Sequence, residues 1–322
     1  MTLPGLDQDE LLHAPWGDPA FGYVIALIAV LLVVTAIALP FFTARQRGGA
    51  SPRTLWARWL TWSILAPLFA ITVFSGLLPV AGLMALFALE ATREWSVLLD
   101  LPSRHRNILA VYSVLAVGLA LFGAAALLAT IPLLLLVAML QPVLRADTER
   151  GIRDLALGAL GFAYLPLLLS FGVLMVRDIP NGAALLFVTG AAASASDIGA
   201  YVVGKSIGRR PLAPSLSPNK TVGGLLGNVL GALLAIILLL PILPHAIALA
   251  VLVLTFVIAI GSVWGDLFSS ALKREAGVKD AGHWLPGFGG LLDRIDSFVL
   301  AVPLVYYAMG LAAILSISTT NP

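Results

Sequence analysis

Long apolar runs separated by short polar breaks dominate the chain. A helix that crosses a bilayer needs about 20 mostly apolar residues. Runs of that length or a little shorter cover 21–42, 60–78, 80–91, 108–127, 131–143, 155–176, 183–203, 222–243, 246–271 and 298–317. The pattern predicts ten spanning helices, the third and fifth of them short. Pro79 and the stretch 129–132 read as turns between paired helices. Two longer polar segments, rich in Gly, Pro, Ser, Lys and Asp, interrupt the apolar pattern after about residue 180.

Composition turns this pattern into a fold class. The 322 residues are 60% hydrophobic and 11% charged, with a mean hydropathy of +0.99. A soluble domain carries about 25% charged residues, so this chain cannot cover a water-facing surface, and lipid is its solvent. The expectation is an all-α integral membrane protein, a polytopic bundle of about ten transmembrane helices with a cytoplasmic-facing polar site. Its parts are an acidic, non-cytoplasmic N-terminus (1–20), N-terminal transmembrane helices (21–180) and a C-terminal transmembrane catalytic region (181–322). The first residues, with Asp7, Asp9, Glu10 and Asp18, lack the basic start of a cleaved signal, so the first apolar run reads as a retained helix. With no cysteine, disulfides, thiolate metal sites and cysteine nucleophiles are excluded.

The distribution of charge orients the bundle. With ten spans and the N-terminus outside, all of the 19 Lys and Arg except Arg177 fall in loops on one side. The positive-inside rule makes that side cytoplasmic, here at the cell inner (plasma) membrane. His105 and His283 then lie inside, His13 and His245 outside. A lone loop histidine such as His105 reads as solvated.

Ionisable groups within apolar runs are costly and mark function by default. Asp197, Tyr201 and Lys205 recur at helical spacing on one face; Ser262, Asp266 and Ser270 do the same, with Lys273 three residues on. Both stripes run toward the cytoplasmic end, which favours a shared site over two ordinary ion pairs with neighbouring helices. The first polar segment contains Arg209, Arg210, Ser217, Lys220 and Thr221. Ser217 or Thr221 can cap the following helix, whose N-terminal amides favour an anion. Arg209 and Arg210 read equally well as loop charge.

The second segment holds Lys273, Arg274, Lys279, Asp280, a Pro-Gly-Phe-Gly-Gly run (286–290), Asp293, Arg294 and Asp296. Asp293 and Asp296 are spaced to point one way from the start of the last helix. Hard carboxylate oxygens suit Mg²⁺ held together with substrate phosphates, and the glycines Gly287, Gly289 and Gly290 let backbone approach a phosphate. Three carboxylates, four cations and a glycine turn beside a membrane suggest phosphoryl or nucleotidyl transfer at the lipid interface.

These residues resemble the phosphatidate cytidylyltransferase (CDP-diacylglycerol synthase) family. Its C-terminal signature is met at Ser270, Lys273, Arg274, Lys279, Asp280, Pro286, Gly287, Gly289, Gly290, Asp293, Arg294 and Asp296. Its upstream pattern is met at Asp197, Ala200, Tyr201, Gly204, Lys205, Ser217, Pro218, Lys220 and Thr221. Glu94-Trp95 resembles the family's Glu-aromatic pair. The motif-bearing match covers 193–297. Two positions depart: Phe288 stands for the family's histidine and Gly223 for its acidic residue. Gly223, Gly227 and Gly231 form a stripe that reads as close helix packing. His283, five residues before Phe288, is a candidate to replace the lost histidine.

The resemblance implies transfer of CMP from CTP to phosphatidate, giving CDP-diacylglycerol and pyrophosphate. It implies Mg²⁺ on Asp280, Asp293 and Asp296, and is compatible with a second cation and a homodimer. Lys273, Arg274, Lys279 and Lys220 would hold the triphosphate or the lipid headgroup, Arg294 the leaving pyrophosphate, and Asp266 would serve the reaction beside the metal. The expected partners are CTP, phosphatidate or a related lipid phosphate and the bilayer, and no nucleic acid. Alternatives are a cytidylyltransferase or CTP-dependent kinase for another membrane lipid, or an ion-coupled transporter using Asp197 and Asp266.

Overall fold

A computed structural model describes residues 8–45, 52–145, 150–243, 248–282 and 289–320. In chain order the helices are α1 (Gln8–Leu11), α2 (Pro19–Arg45), α3 (Pro52–Val73), α4 (Leu77–Leu98), α5 (Ser103–Ala120), α6 (Ala124–Leu128), α7 (Thr130–Arg145), α8 (Gly151–Phe162), α9 (Leu168–Asp178) and α10 (Gly182–Ile207). A short hairpin, β1 (Pro211–Ala213) and β2 (Ser217–Thr221), follows, then α11 (Val222–Leu238), α12 (Ala248–Glu275) and α13 (Leu292–Thr320). The protein is an all-α membrane protein, and among the described residues the hairpin is its only sheet.

Each expected span falls on a helix. Six stretches among the described residues are long and apolar enough to cross a membrane: Pro19–Pro40, Leu55–Val73, Gly151–Asp178, Gly182–Ile207, Ala248–Glu275 and Leu292–Leu311. Two expectations need correction. The turn placed at Pro79 lies at Gly76, whose φ of +105° suits glycine, and Pro79 sits in the first turn of α4. A further turn lies at Gly123 (φ +108°), while the expected break at 129–132 is met at Ala129, between α6 and α7. The short third span is the 22-residue α4. It runs past Ala91 because Glu94 and Trp95 are themselves buried, so the helix has an inward face where the apolar run has ended. His105 is also buried, on α5, rather than solvated.

Two local features shape the bundle. Between α8 and α9 the helix widens into a π-bulge over Ala163–Leu167 around Pro166. Proline has no N–H and its ring presses on the carbonyl four residues back, which favours such a bulge. The bulge sets Tyr164 edge-on against Phe268 of α12, with ring centroids 4.6 Å apart.

Packing between α10 and α11 is backbone on backbone. A Cβ added at Gly199 would lie 2.2 Å from the Gly227 carbonyl oxygen, and one at Gly231 2.2 Å from that of Ala195. The predicted glycine stripe is thus a helix seam. Its first member, Gly223, packs against Gly208. A second close seam joins α12 to α13, where a Cβ at Gly265 would fall 2.0 Å from the Asp296 carbonyl oxygen. Most hydroxyls on the helices fold back onto the carbonyl four residues earlier, as Thr92, Ser113, Ser170 and Thr189 do. That satisfies them without water. The hydroxyls around Asp197 behave differently.

Candidate functional site

The two seams bring α10, α11, α12 and α13 together at one polar centre with two cavities. The first, of about 460 Å³, lies between α10, β2, α11 and α12. Asp197, Tyr201 and Lys205 enter it from α10, Lys220 and Thr221 from the hairpin, and Asp266 from α12. The predicted α10 stripe is therefore one face, with Lys205 Nζ 3.5 Å from the Tyr201 hydroxyl. Thr221, rather than Ser217, caps α11: its Oγ1 accepts the Gly224 N–H at 3.1 Å. Lys220 forms an ion pair with Asp266, so Asp266 does pair with a cation from outside its helix, and that cation is another predicted site residue.

The second cavity, of about 230 Å³, is lined by Asp197, Asp266, Lys273, Asp280, Asp293, Arg294 and Asp296. It shares Asp197 and Asp266 with the first. Asp293 is its most constrained carboxylate, with a side chain 4% exposed. Its Oδ1 accepts from Lys273 Nζ at 2.6 Å. Its Oδ2 accepts the Ala281 N–H at 2.9 Å and the Gly290 N–H at 3.2 Å. Gly289, at φ +83°, lies beside it; a Cβ there would sit 3.0 Å from Asp293 Oδ2. A side chain at 289 would both strain the backbone and crowd the carboxylate.

Among the described residues Asp197 forms no ion pair. Its Oδ1 accepts from the Ser262 hydroxyl at 2.9 Å and its Oδ2 from the Ser297 hydroxyl at 3.0 Å. Behind Ser262 the chain continues: Ser196 donates to Ser262 at 3.0 Å, and Asn228 Nδ2 donates to Ser196 at 2.5 Å. Residues of α10, α11, α12 and α13 thus meet in one hydrogen-bonded line ending on a carboxylate.

Glu94 of α4 closes the site from below. Its two carboxylate oxygens accept the N–H groups of Leu291 at 3.0 Å and Leu292 at 2.8 Å, at the start of α13. A negative charge there also complements the helix dipole. Cβ atoms added at Gly282 and Gly290 would strike its carboxylate, so the backbone at these two glycines is moulded around Glu94.

Most of the predicted residues therefore meet. Among the described ones, Arg274, Lys279, Ser217, Gly289 and Gly290 line neither cavity. Arg274 donates to the Leu216 and Val278 carbonyls, tying the hairpin to the end of α12; Lys279 is exposed; and Ser217 pairs with Ala213 in the hairpin. Gly290 serves through its N–H to Asp293. Gly287, His283 and Phe288 lie outside the described residues. Asn228, Ser196 and Ser297 were not legible as site residues. Glu94 was visible only through the resemblance.

The donors suit a hard cation. Five aspartates face only Lys273 and Arg294 in the second cavity, and carboxylates with phosphate oxygens are what Mg²⁺ takes up. Among the described residues no three acidic or histidine side chains already converge as a closed metal cage. Mg²⁺ would have to complete its shell with substrate oxygens or water, its usual habit.

Comparison with known proteins finds a family and several relatives. The model of the cytidylyltransferase family matches residues 56–312. A protein of Thermotoga maritima named phosphatidate cytidylyltransferase is 31% identical over 259 residues, 77% of this chain and 94% of that one. Proteins of the same name from Pseudomonas aeruginosa and Bacillus subtilis are 45% and 42% identical over 149 and 118 residues, covering 45% and 36% of this chain. Those two alignments span about half of the relatives' own length, 55% and 44%. The family match covers α3 to α13 and so every helix that contributes to the two cavities: the chain belongs to the cytidylyltransferase family.

Proposed function

We propose that the protein transfers CMP from CTP to phosphatidate, giving CDP-diacylglycerol and pyrophosphate. The observation that carries this reading, with family membership, is the pair of adjoining cavities that share Asp197 and Asp266. One is lined by cations and a capped helix N-terminus, the other by carboxylates. A phosphate oxygen of phosphatidate attacks the α-phosphorus of CTP. The new P–O bond replaces the bond to the α,β-bridging oxygen, which leaves with pyrophosphate. The lipid phosphate is already anionic, so alignment and charge neutralisation matter more than a general base.

Lys220, Lys205 and the N-terminal amides of α11 suit the anionic phosphates entering the first cavity. Lys273 and Arg294 stand where charge would collect on the leaving group. Asp280, Asp293 and Asp296, with Asp266 beside them, would hold Mg²⁺. When bound, that ion supplies neutralisation of phosphate charge. Lys273 now occupies one oxygen of Asp293 and Lys220 one of Asp266; both lysines can turn toward phosphate as the carboxylates turn toward the cation. Arg274 organises the site through its two backbone carbonyls rather than through substrate. A place for both cavities at the cytoplasmic face of the inner membrane is supported by the one-sided distribution of Lys and Arg. The four further helices α4, α5, α7 and α11 would bring the crossings to ten.

Purified protein given CTP, phosphatidate and Mg²⁺ should form CDP-diacylglycerol and pyrophosphate in equal amounts. Release of CDP instead of pyrophosphate would identify a CTP-dependent kinase. Turnover only with another lipid phosphate would change the acceptor, and no nucleotide-dependent product would overturn the enzyme reading.

A further inference from the structure

The line from Asn228 to Asp197 has a direction. Each serine hydroxyl has one proton. Asp197, as a carboxylate, takes the proton of Ser262. Ser262 must then accept from Ser196, whose own proton is spent there. Ser196 can only accept from Asn228, which turns the amide nitrogen of Asn228 toward it. The amide orientation is fixed from the far end, and Oδ1 faces the other way.

Among the described residues that oxygen has no hydrogen-bond partner; it is buried, in a residue 2% exposed that lines the first cavity. A buried acceptor left unpaired is costly, and its residue is one of those lining a ligand-sized space. Thr221, Gly224 and Asn228 share one face of α11. At Gly224 the Ala200 carbonyl of α10 closes in, 3.1 Å from where a Cβ would lie, and all three line the cavity from the capped N-terminus to Asn228. At 1.5 Å per residue that distance is about 10 Å, roughly the reach of a nucleotide from its phosphate to the far edge of its base.

We propose that the first cavity takes the nucleoside end of the nucleotide, and that Asn228 Oδ1 accepts a hydrogen bond from the exocyclic amine of the base. This rests on the transferase reading above and names the residue that selects its nucleotide. The chemistry discriminates between the two substrates. Phosphatidate offers only acceptors beyond its phosphate, so an acceptor in the wall cannot pair with its glycerol esters. Cytosine presents an amine at its edge, where uracil presents a carbonyl oxygen that Oδ1 would repel. Ser196 is a positioning residue: it holds the amide so that the oxygen, not the nitrogen, meets the base.

The test is base discrimination by the full-length protein in detergent micelles. CTP, UTP and 2′-deoxy-CTP are compared by kcat/KM at saturating phosphatidate and by calorimetric binding. The wild type should prefer CTP to UTP. Asn228→Leu should weaken CTP about tenfold, the worth of one hydrogen bond, while UTP and the KM for phosphatidate stay unchanged. Ser196→Ala leaves the cavity wall intact but frees the amide to turn, so it should raise UTP relative to CTP; it also serves if Asn228→Leu does not fold. An unchanged CTP to UTP ratio in the folded variants overturns the assignment. So does a raised KM for phosphatidate with nucleotide constants intact. A change confined to 2′-deoxy-CTP would move the contact to the ribose and overturn the base assignment. Calorimetric CTP preference without turnover would uphold this inference while the transferase reading falls. Binding of no nucleotide would overturn both.

Discussion

Glu94 Oε2 accepts the N–H of Leu292 at 2.8 Å, across 198 positions of sequence. With Leu291 bonded to the other oxygen, α4 thereby fixes where α13 starts, and so where Asp293 and Asp296 point. Glu94 touches neither cavity, yet it sets the frame of the second.

Glu94→Ala should lose activity at least about tenfold and destabilise the protein by about 3 kcal/mol, the order expected for losing charge-assisted bonds to two buried amides. Glu94→Gln retains one acceptor oxygen and should fall between. Turnover and thermal unfolding of the three proteins check this. Wild-type behaviour of the alanine variant would show that α13 is positioned by packing alone.

Asp280→Asn and Asp293→Asn should each abolish turnover, because each removes a hard anionic ligand while keeping side-chain shape. Both should keep the wild-type gel-filtration profile. Asp293→Asn additionally deprives Lys273 of its ionic partner. Turnover near wild type at saturating Mg²⁺ in either variant would show that the carboxylate is not a metal ligand.

Lys220→Ala and Asp266→Asn separate stability from chemistry. Both side chains are partly exposed, and such pairs are worth about 1 kcal/mol or less. Unfolding temperatures should barely move, whereas Lys220→Ala should raise the KM for CTP and Asp266→Asn should lower kcat by about 100-fold or more. Equal losses of stability and activity would make the pair a structural clasp.

The native chain has no cysteine, so single cysteines report sidedness without background. Cysteines at Arg209 and Lys279 should be labelled from the same side of the membrane, and one at Pro322 from the opposite side. Labelling at Pro322 from the cytoplasmic side alone would change the number of crossings.

The helices were legible because lipid imposes a length of apolar sequence on each. Their junctions were harder. Proline marks a break by composition, but at Gly76 it is a positive φ that turns the chain, and Pro79 is merely tolerated in the first helical turn. The hairpin at 211–221 has too few residues and too many prolines for a period-two pattern to stand out. Within the site, Asp197 and Asp266 were conspicuous as charges in apolar sequence. Asn228, Ser196 and Ser297 were not, since small polar residues on membrane helices usually bond their own backbone. Only the mutual rotation of four helices reveals that Asn228 reaches Ser196 and that Ser297 reaches Asp197. Lys279 and Arg274 line neither cavity, since being basic and within the signature does not by itself bring a side chain to the cavity wall.

Without side chains between them at Gly199, Gly227 and Gly231, α10 and α11 form a single stave of the bundle. Asp197 and Lys205 stand on one edge of that stave and Lys220 leads into the other, so their separation is set by main chain, not by side-chain choice. The walls of the first cavity cannot part along this joint without breaking backbone-on-backbone contacts. The Lys220–Asp266 ion pair then spans the mouth between the hairpin at the stave's edge and α12, so it is a side-chain contact, not main chain, that closes this side of the cavity.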